Sequence, residues 1–119
     1  MKFAKSHEWI KIEGDIVIMG VSDHAQNELT EIVFIELPSV GQTLTAGQPC
    51  CVVESVKSAS DVYAPVSGEV IEINEDILND PAMVNNDAEG TGWFMKIKFS
   101  KPSDIDALMT KEEYLNSVS

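Results

Sequence analysis

A chain of 119 residues with 44% hydrophobic side chains can bury a modest core as one domain, residues 1–119, with no need of disulfide staples. Its formal charge of −12, from 20 acidic against 8 basic residues, disfavours nucleic acid and anionic membrane as partners and suits either salt-sensitive docking on basic protein surfaces or plain solubility. No apolar run approaches membrane-spanning length, and the first residues show neither a secretory h-region nor an Arg-rich transit pattern, so a cytoplasmic monomer is expected.

In chain order, Phe3 to Glu13 starts loosely and ends as a strand with Ile10 and Ile12 on one face. Gly14-Asp15 fits a tight turn into Ile16–Val21, a first hairpin. Ser22 or Asp23 caps a short helix through Thr30, whose few apolar residues, Ala25 and Leu29, place it on the surface of a sheet. A strand from Ile32 to Leu37 stops at Pro38. Gly41 and Gly47 punctuate the approach to Val52–Val56, and Gly68 marks another turn before the strand Glu69–Ile73; glycine-marked turns on both sides suggest two similar halves packed together. Asp80-Pro81 reads as a cap with proline at the first helical position, and Asn85 to Gly92 as a polar loop. Trp93 to Phe99 alternates as a last strand, with Phe94, Lys96 and Lys98 on its wetter face. Beyond Pro102 the period becomes helical over about 103–117, with Ser103 as a cap and a capping box at Thr110-Lys111-Glu112-Glu113. The class is mostly β, a barrel or sandwich, with a short internal helix and a helical C-terminal segment.

Cys50 and Cys51 are adjacent, and neighbours on a strand point to opposite faces, so a bridge between them would be strained and a reducing compartment is expected. A thiol–imidazole pair with His7 or His24 would be an enzyme's signature, but Pro49-Cys50-Cys51-Val52-Val53 is an apolar run in which one thiol is expected to be buried and inert. Metal ligation by the same residues lacks the usual spacing.

Lys57 lies between two strand-like runs, among small residues. A reversal at Lys57-Ser58 would set Glu54 opposite Asp61, Ser55 opposite Ser60 and Val56 opposite Ala59, with Lys57 projecting from the tip free of bulky neighbours. An amine activated for catalysis needs burial or nearby positive charge. Glu54 and Asp61 favour the protonated form instead, which suits a lysine presented to other proteins as a surface charge or as a site of modification.

Glu54-Ser55-Val56-Lys57, Ser60-Asp61 and Ala64-Pro65-Val66-Ser67-Gly68-Glu69-Val70 resemble the lipoyl-attachment region of glycine cleavage system H proteins. Ser6-His7-Glu8-Trp9, Gly20-Val21-Ser22-Asp23-His24-Ala25-Gln26, Ile32-Val33-Phe34-Ile35-Glu36-Leu37-Pro38, and Asn85 with Gly92-Trp93 continue the likeness in order, from about Phe3 to Phe99. The resemblance implies a flattened barrel-sandwich like that of lipoyl and biotinyl carrier domains. It implies a non-enzymatic carrier with lipoate attached covalently to Lys57. The lipoyl arm takes an aminomethyl group from a glycine decarboxylase (P protein), delivers it to an aminomethyltransferase (T protein) and is reoxidised by dihydrolipoamide dehydrogenase (L protein); a lipoate-attaching enzyme is the fourth partner. Ser6, Glu8 and Asp61 match residues of the cleft that shields the loaded arm, with His24 nearby. Ala88-Glu89 replaces the family's common Pro-Tyr, and Cys50-Cys51 is an unusual lead-in, which leaves docking open. The alternatives are an H-like lipoyl donor or carrier serving 2-oxoacid dehydrogenases, and an unmodified interaction module. A biotin carrier is disfavoured, because Ser-Val-Lys-Ser stands where Ala-Met-Lys-Met would be expected.

Overall fold

The computed structural model describes residues 1–118. Its strands are β1 (Lys2–Phe3), β2 (Glu8–Glu13), β3 (Ile16–Val21), β4 (Ile32–Glu36), β5 (Thr43–Leu44), β6 (Pro49–Ser55), β7 (Ala59–Tyr63), β8 (Gly68–Ile73), β9 (Met95–Phe99) and β10 (Met109–Thr110). They form an open seven-stranded sheet in the order β10-β1-β2-β3-β9-β8-β5 and a three-stranded sheet in the order β4-β6-β7. The two sheets are unequal, so the expectation of similar halves does not hold. Extents of 36 × 34 × 22 Å describe a flattened two-layer body, mostly β and not a closed barrel.

The main core joins the layers. Ile10, Val17, Met19, Val70 and Ile97 from the large sheet pack in one buried cluster with Ile32, Ile35, Val53 and Val62 from the small one. A second cluster of Phe3, Trp9 and Tyr114 closes the end where the C-terminus returns. Alternation explains most of this. Ile12 departs from it: the strand runs past the covered area, and Ile12 is 47% exposed while Ile10 is buried.

The hairpin at Gly14-Asp15 forms as expected, with Glu13 opposite Ile16 and Gly14 at φ 64°, a conformation that glycine adopts without a side-chain penalty. Helix α1 (Asp23–Leu29) is capped by Ser22, whose hydroxyl accepts from the Ala25 N–H. Three local expectations need correction. Gly68 is not in a turn but opens β8, paired with Phe99. A Cβ there would lie 2.2 Å from the Lys98 carbonyl oxygen and 2.8 Å from Phe99 Cα, so glycine is present for close approach rather than reversal. Pro81 is the N-cap of α3 (Ala82–Asn86) rather than its first residue, and Asp80 ends a helix α2 (Glu75–Asn79) that periodicity did not announce. The Asn74 side chain starts α2 by accepting from the Asp76 N–H. Phe94 is fully buried, because β9 begins only at Met95 and the Phe94 N–H still donates to the Met19 carbonyl.

In the C-terminal stretch, α4 (Pro102–Asp106) starts from Lys101, with Pro102 in its first turn and Ser103 inside it rather than capping it. The capping box ahead of α5 (Lys111–Val118) forms reciprocally: the Thr110 N–H donates to Glu113 and the Glu113 N–H to the Thr110 hydroxyl. Gly68→Ala forces the backbones of β8 and β9 apart. We expect it to cost about 3 kcal/mol, at the upper end of overpacking effects, read as a fall in melting temperature of roughly 10 °C.

Candidate functional site

Lys57 sits at the tip of the β6–β7 hairpin, but the register differs from the expected one. Glu54 pairs with Ala59, Val53 with Ser60 and Val52 with Asp61, which centres the reversal on Val56-Lys57. Ser55 is the cause. Its N–H donates to the Ser58 carbonyl, and its hydroxyl accepts from the N–H groups of Lys57 and Ser58 at 3.3 and 3.2 Å. A serine hydroxyl that satisfies the turn's own backbone replaces the Asn-Gly chemistry of a standard two-residue hairpin.

The lysine does not project freely. Its ammonium donates to the Glu28 carbonyl at 2.9 Å, on the last turn of α1, where free carbonyls and the helix dipole favour a cation. The side chain remains exposed. It thus lies at the rim of a cleft of about 400 Å³ between β2, α1 and the edge strand β7. Ser6, Glu8, His24 and Asp61, separated by up to 55 positions in sequence, all line this cleft. Val21, Ala25, Leu29 and Val62 give it an apolar wall.

Glu8 is the buried charge of the site, 2% exposed. One carboxylate oxygen accepts from the Ser6 hydroxyl and the other from the Tyr63 N–H at 3.1 Å, so Glu8 also satisfies the open edge of β7. Burial raises its pKa above the ordinary carboxylate value, while both hydrogen bonds pull the other way.

Sequence reasoning missed three contributors. Glu28 also lines the cleft, one helical turn from His24 and 3.9 Å from its ring nitrogen; the i,i+4 spacing on a capped helix was the available signal. His7 lines the cleft too, at φ 78°, with its ring 5.1 Å from that of His24. Behind it stands Tyr114, from the far end of the chain. The Tyr114 hydroxyl lies 2.7 Å from His7 Nδ1 and 2.6 Å from the Ser22 hydroxyl. Ser22 keeps a second lone pair beyond the bond from Ala25, so each hydroxyl can donate or accept; in the direction Ser22 to Tyr114 to His7, Nδ1 is an acceptor and the imidazole neutral.

Burial lowers the His7 pKa below 6.5, His24 lowers it further, and Glu28 opposes both. The unfolded chain therefore binds the extra proton first as pH falls. The associated stability is fully present above pH 6.5 and is lost as pH drops through the folded-state value. An NMR titration is expected to show His7 changing charge below 6.5.

Asn85 and the Ala88-Glu89 departure serve the frame. Asn85 accepts from the Ile32 N–H and donates to the Thr30 carbonyl and Gln26 side chain, tying the end of α1 to β4. The Ala88 carbonyl accepts from the Trp9 indole. Glu89 accepts from the Asp23 N–H at the start of α1 and lies 3.8 Å from Lys111. The cysteines line a different cavity from the two histidines, which removes the geometric basis for a thiol–imidazole pair. Among the described residues no group of three or more His, Cys, Asp or Glu is placed to hold a metal ion, and no helix is long and apolar enough to cross a membrane.

A lysine displayed on a hairpin of the smaller of two packed sheets, beside a cleft with an apolar wall and carboxylates, defines a carrier domain of the flattened barrel-sandwich class. The glycine cleavage H-protein family description matches residues 1–119. A glycine cleavage system H protein of Acinetobacter baumannii is 54% identical over 114 residues, covering 96% of this chain and 92% of that one. One from Carboxydothermus hydrogenoformans is 50% identical over 96% of this chain and 88% of its own. The crystal structure of a glycine cleavage system H protein from Mycobacterium marinum superposes with a TM-score of 0.91 at 36% identity, covering 98% of this chain and 94% of that chain. The chain belongs to the glycine cleavage H-protein family, the lipoyl carriers of glycine cleavage.

Proposed function

We propose that Lys57 carries the lipoyl group and that the cleft beside it shelters the aminomethyl cargo between a glycine decarboxylase and an aminomethyltransferase, with dihydrolipoamide dehydrogenase restoring the arm. The observation that carries this reading is the position of the Lys57 ammonium, 2.9 Å from the carbonyl of Glu28, a residue of the cleft itself. An arm that starts at the rim needs only to fold back to enter.

When attached, the lipoyl group supplies a dithiolane whose disulfide opens to accept the cargo. The chain's own residues do the rest. Ser55 holds the tip in one turn geometry and so fixes where the arm begins. Val21, Ala25, Leu29 and Val62 offer an apolar wall to the arm's hydrocarbon. Glu8, Glu28 and Asp61 supply anionic oxygens for a cationic amine, and the buried Glu8 makes the strongest claim because its charge is least screened by water. Tethering keeps the cargo at high effective concentration for each partner in turn. Catalysis belongs to the partners on this reading, and the chain works in the cytoplasm as a carrier. The 20 acidic residues against 8 basic ones favour partners with basic docking surfaces.

Glu8→Gln tests the cleft. Glutamine keeps an acceptor for the Tyr63 N–H, so the fold survives; with the carboxylate gone, formaldehyde release from the loaded protein is expected to rise about tenfold, the loss of one charge-assisted hydrogen bond. The raised pKa of Glu8 means the folded state binds its proton more tightly. The stability this proton contributes is present below pH 4.5 and is lost as pH rises through the folded value. Glu8→Gln removes that dependence, and the variant is at least as stable as the parent at pH 7. Unchanged formaldehyde release would remove Glu8 from cargo protection.

The competing carrier reading, service to 2-oxoacid dehydrogenases, differs only in partners. Purified decarboxylase, glycine and labelled bicarbonate separate the two: lipoylated chain is expected to support exchange of label into the glycine carboxyl. No exchange with a lipoylated Lys57 would favour the other system.

A further inference from the structure

The adjacent cysteines do not diverge as strand alternation requires. Pro49 pairs with Tyr63 and Cys51 with Val62, so Cys50 is an extra residue bulged out of β6. A bulge breaks the two-residue alternation and turns both side chains together: the sulfurs lie 3.5 Å apart. Both thiols are free, Cys50 half-buried and Cys51 buried. They line a second cavity of about 400 Å³ on the small sheet, with Glu36, Pro38, Gln42 and Asp61 among its walls.

From this geometry we infer that Cys50 and Cys51 form a preorganised dithiol site for a trivalent organoarsenical, a thiophilic centre that needs two sulfur ligands and brings its third substituent with it. The alternatives fit less well. Structural zinc takes four ligands, and no third His, Cys, Asp or Glu among the described residues is placed to join the pair. A disulfide would need the sulfurs at about 2.05 Å, on Cα atoms held about 3.8 Å apart as chain neighbours, shorter than the usual span of a bridge. The observed 3.5 Å leaves room for one atom bonded to both sulfurs.

The step balances without redox change. An arsonous acid, RAs(OH)2, meets two thiols; two S–H and two As–OH bonds break, two As–S bonds form, and two waters leave with arsenic still trivalent. Cys50 makes the first bond because it is the accessible sulfur. Its hydrogen bond with Cys51, together with burial, pushes the Cys51 thiol well above the ordinary range, so Cys51 reacts second, when the arsenic is already held beside it.

The test uses phenylarsine oxide, which hydrates to the diol, on the full chain carrying Lys57→Arg, so that no lipoyl dithiol competes. Intact mass is expected to show one phenylarsenic adduct on the folded protein, stable to excess monothiol and removed by a small dithiol, with far-ultraviolet dichroism unchanged. Cys50→Ser and Cys51→Ala are each expected to weaken retention by about 100-fold, the loss of the second tethered contact. The half-buried Cys50 position keeps the test valid if Cys51→Ala unfolds. An adduct that forms only in urea, or one that resists monothiol equally in Cys50→Ser, would overturn the assignment.

Discussion

Lys57→Arg is expected to yield a folded protein with no lipoyl increment in its mass and with glycine–bicarbonate exchange at the background of the decarboxylase alone. Arginine keeps the positive charge and can still donate to the Glu28 carbonyl, which the lysine reaches at 2.9 Å. The side chain is exposed, so stability should change by no more than about 0.5 kcal/mol. What arginine lacks is an amine that can form the amide. The loss is therefore complete rather than graded, and it separates the arm from everything else the hairpin does. The turn's backbone is held by Ser55 and Ser58, not by the lysine, so a lipoate-attaching enzyme would meet an unaltered hairpin. Residual exchange by the purified variant would mean that the cargo travels on another group.

Tyr114→Ala should be the most damaging single change to stability outside the main core. Tyr114 is 2% exposed and stacks on Phe3, with ring centroids 4.5 Å apart and planes 7° from parallel. Together with Trp9 these rings close the end of the large sheet. Truncating a buried aromatic costs about 3–5 kcal/mol. Removing the hydroxyl also takes the partner from His7 Nδ1 and leaves the buried Ser22 hydroxyl with only its bond from the Ala25 N–H. Tyr114→Phe divides the effect. It keeps the stack and loses only the hydroxyl, at about 1–2 kcal/mol. Its diagnostic result is on His7: loss of a hydroxyl that donates to Nδ1 moves the imidazole pKa up, and loss of one that accepts from Nδ1–H moves it down. Urea melts give the first quantity and NMR titration the second. An unmoved His7 would mean that α5 stabilises the fold without tuning the cleft.

The parts of this molecule that follow local rules were legible in the chain. The Gly14-Asp15 turn, the Ser22 cap and the capping box of Thr110 with Glu113 each need only neighbouring residues, and each forms. Alternation marked Ile10 and Ile97 for the same reason. The misses share a different cause, since each depends on a partner distant in sequence or on a single inserted residue. The lysine turn shifted register because the Ser55 hydroxyl could serve as the turn's internal acceptor. The bulge at Cys50 reversed the expected divergence of the two thiols. Gly68 has the local surroundings of a turn glycine, but what requires it is the close approach of Lys98 and Phe99 of β9. In the cleft, the resemblance drew attention to Ser6, Glu8, His24 and Asp61, which share the pocket. Tyr114 stayed invisible: it lies 107 positions from His7, and nothing near Lys111–Val118 hints at a site.

The most direct measurement is intact mass with peptide mapping of the protein purified from its own cells. Lipoyl carriage on Lys57 predicts one lipoyl increment, located on the peptide that contains Lys57 and absent elsewhere. An unmodified Lys57 in cells whose other lipoyl proteins are fully loaded would contradict it, and would leave the hairpin as a docking element with an ordinary surface lysine.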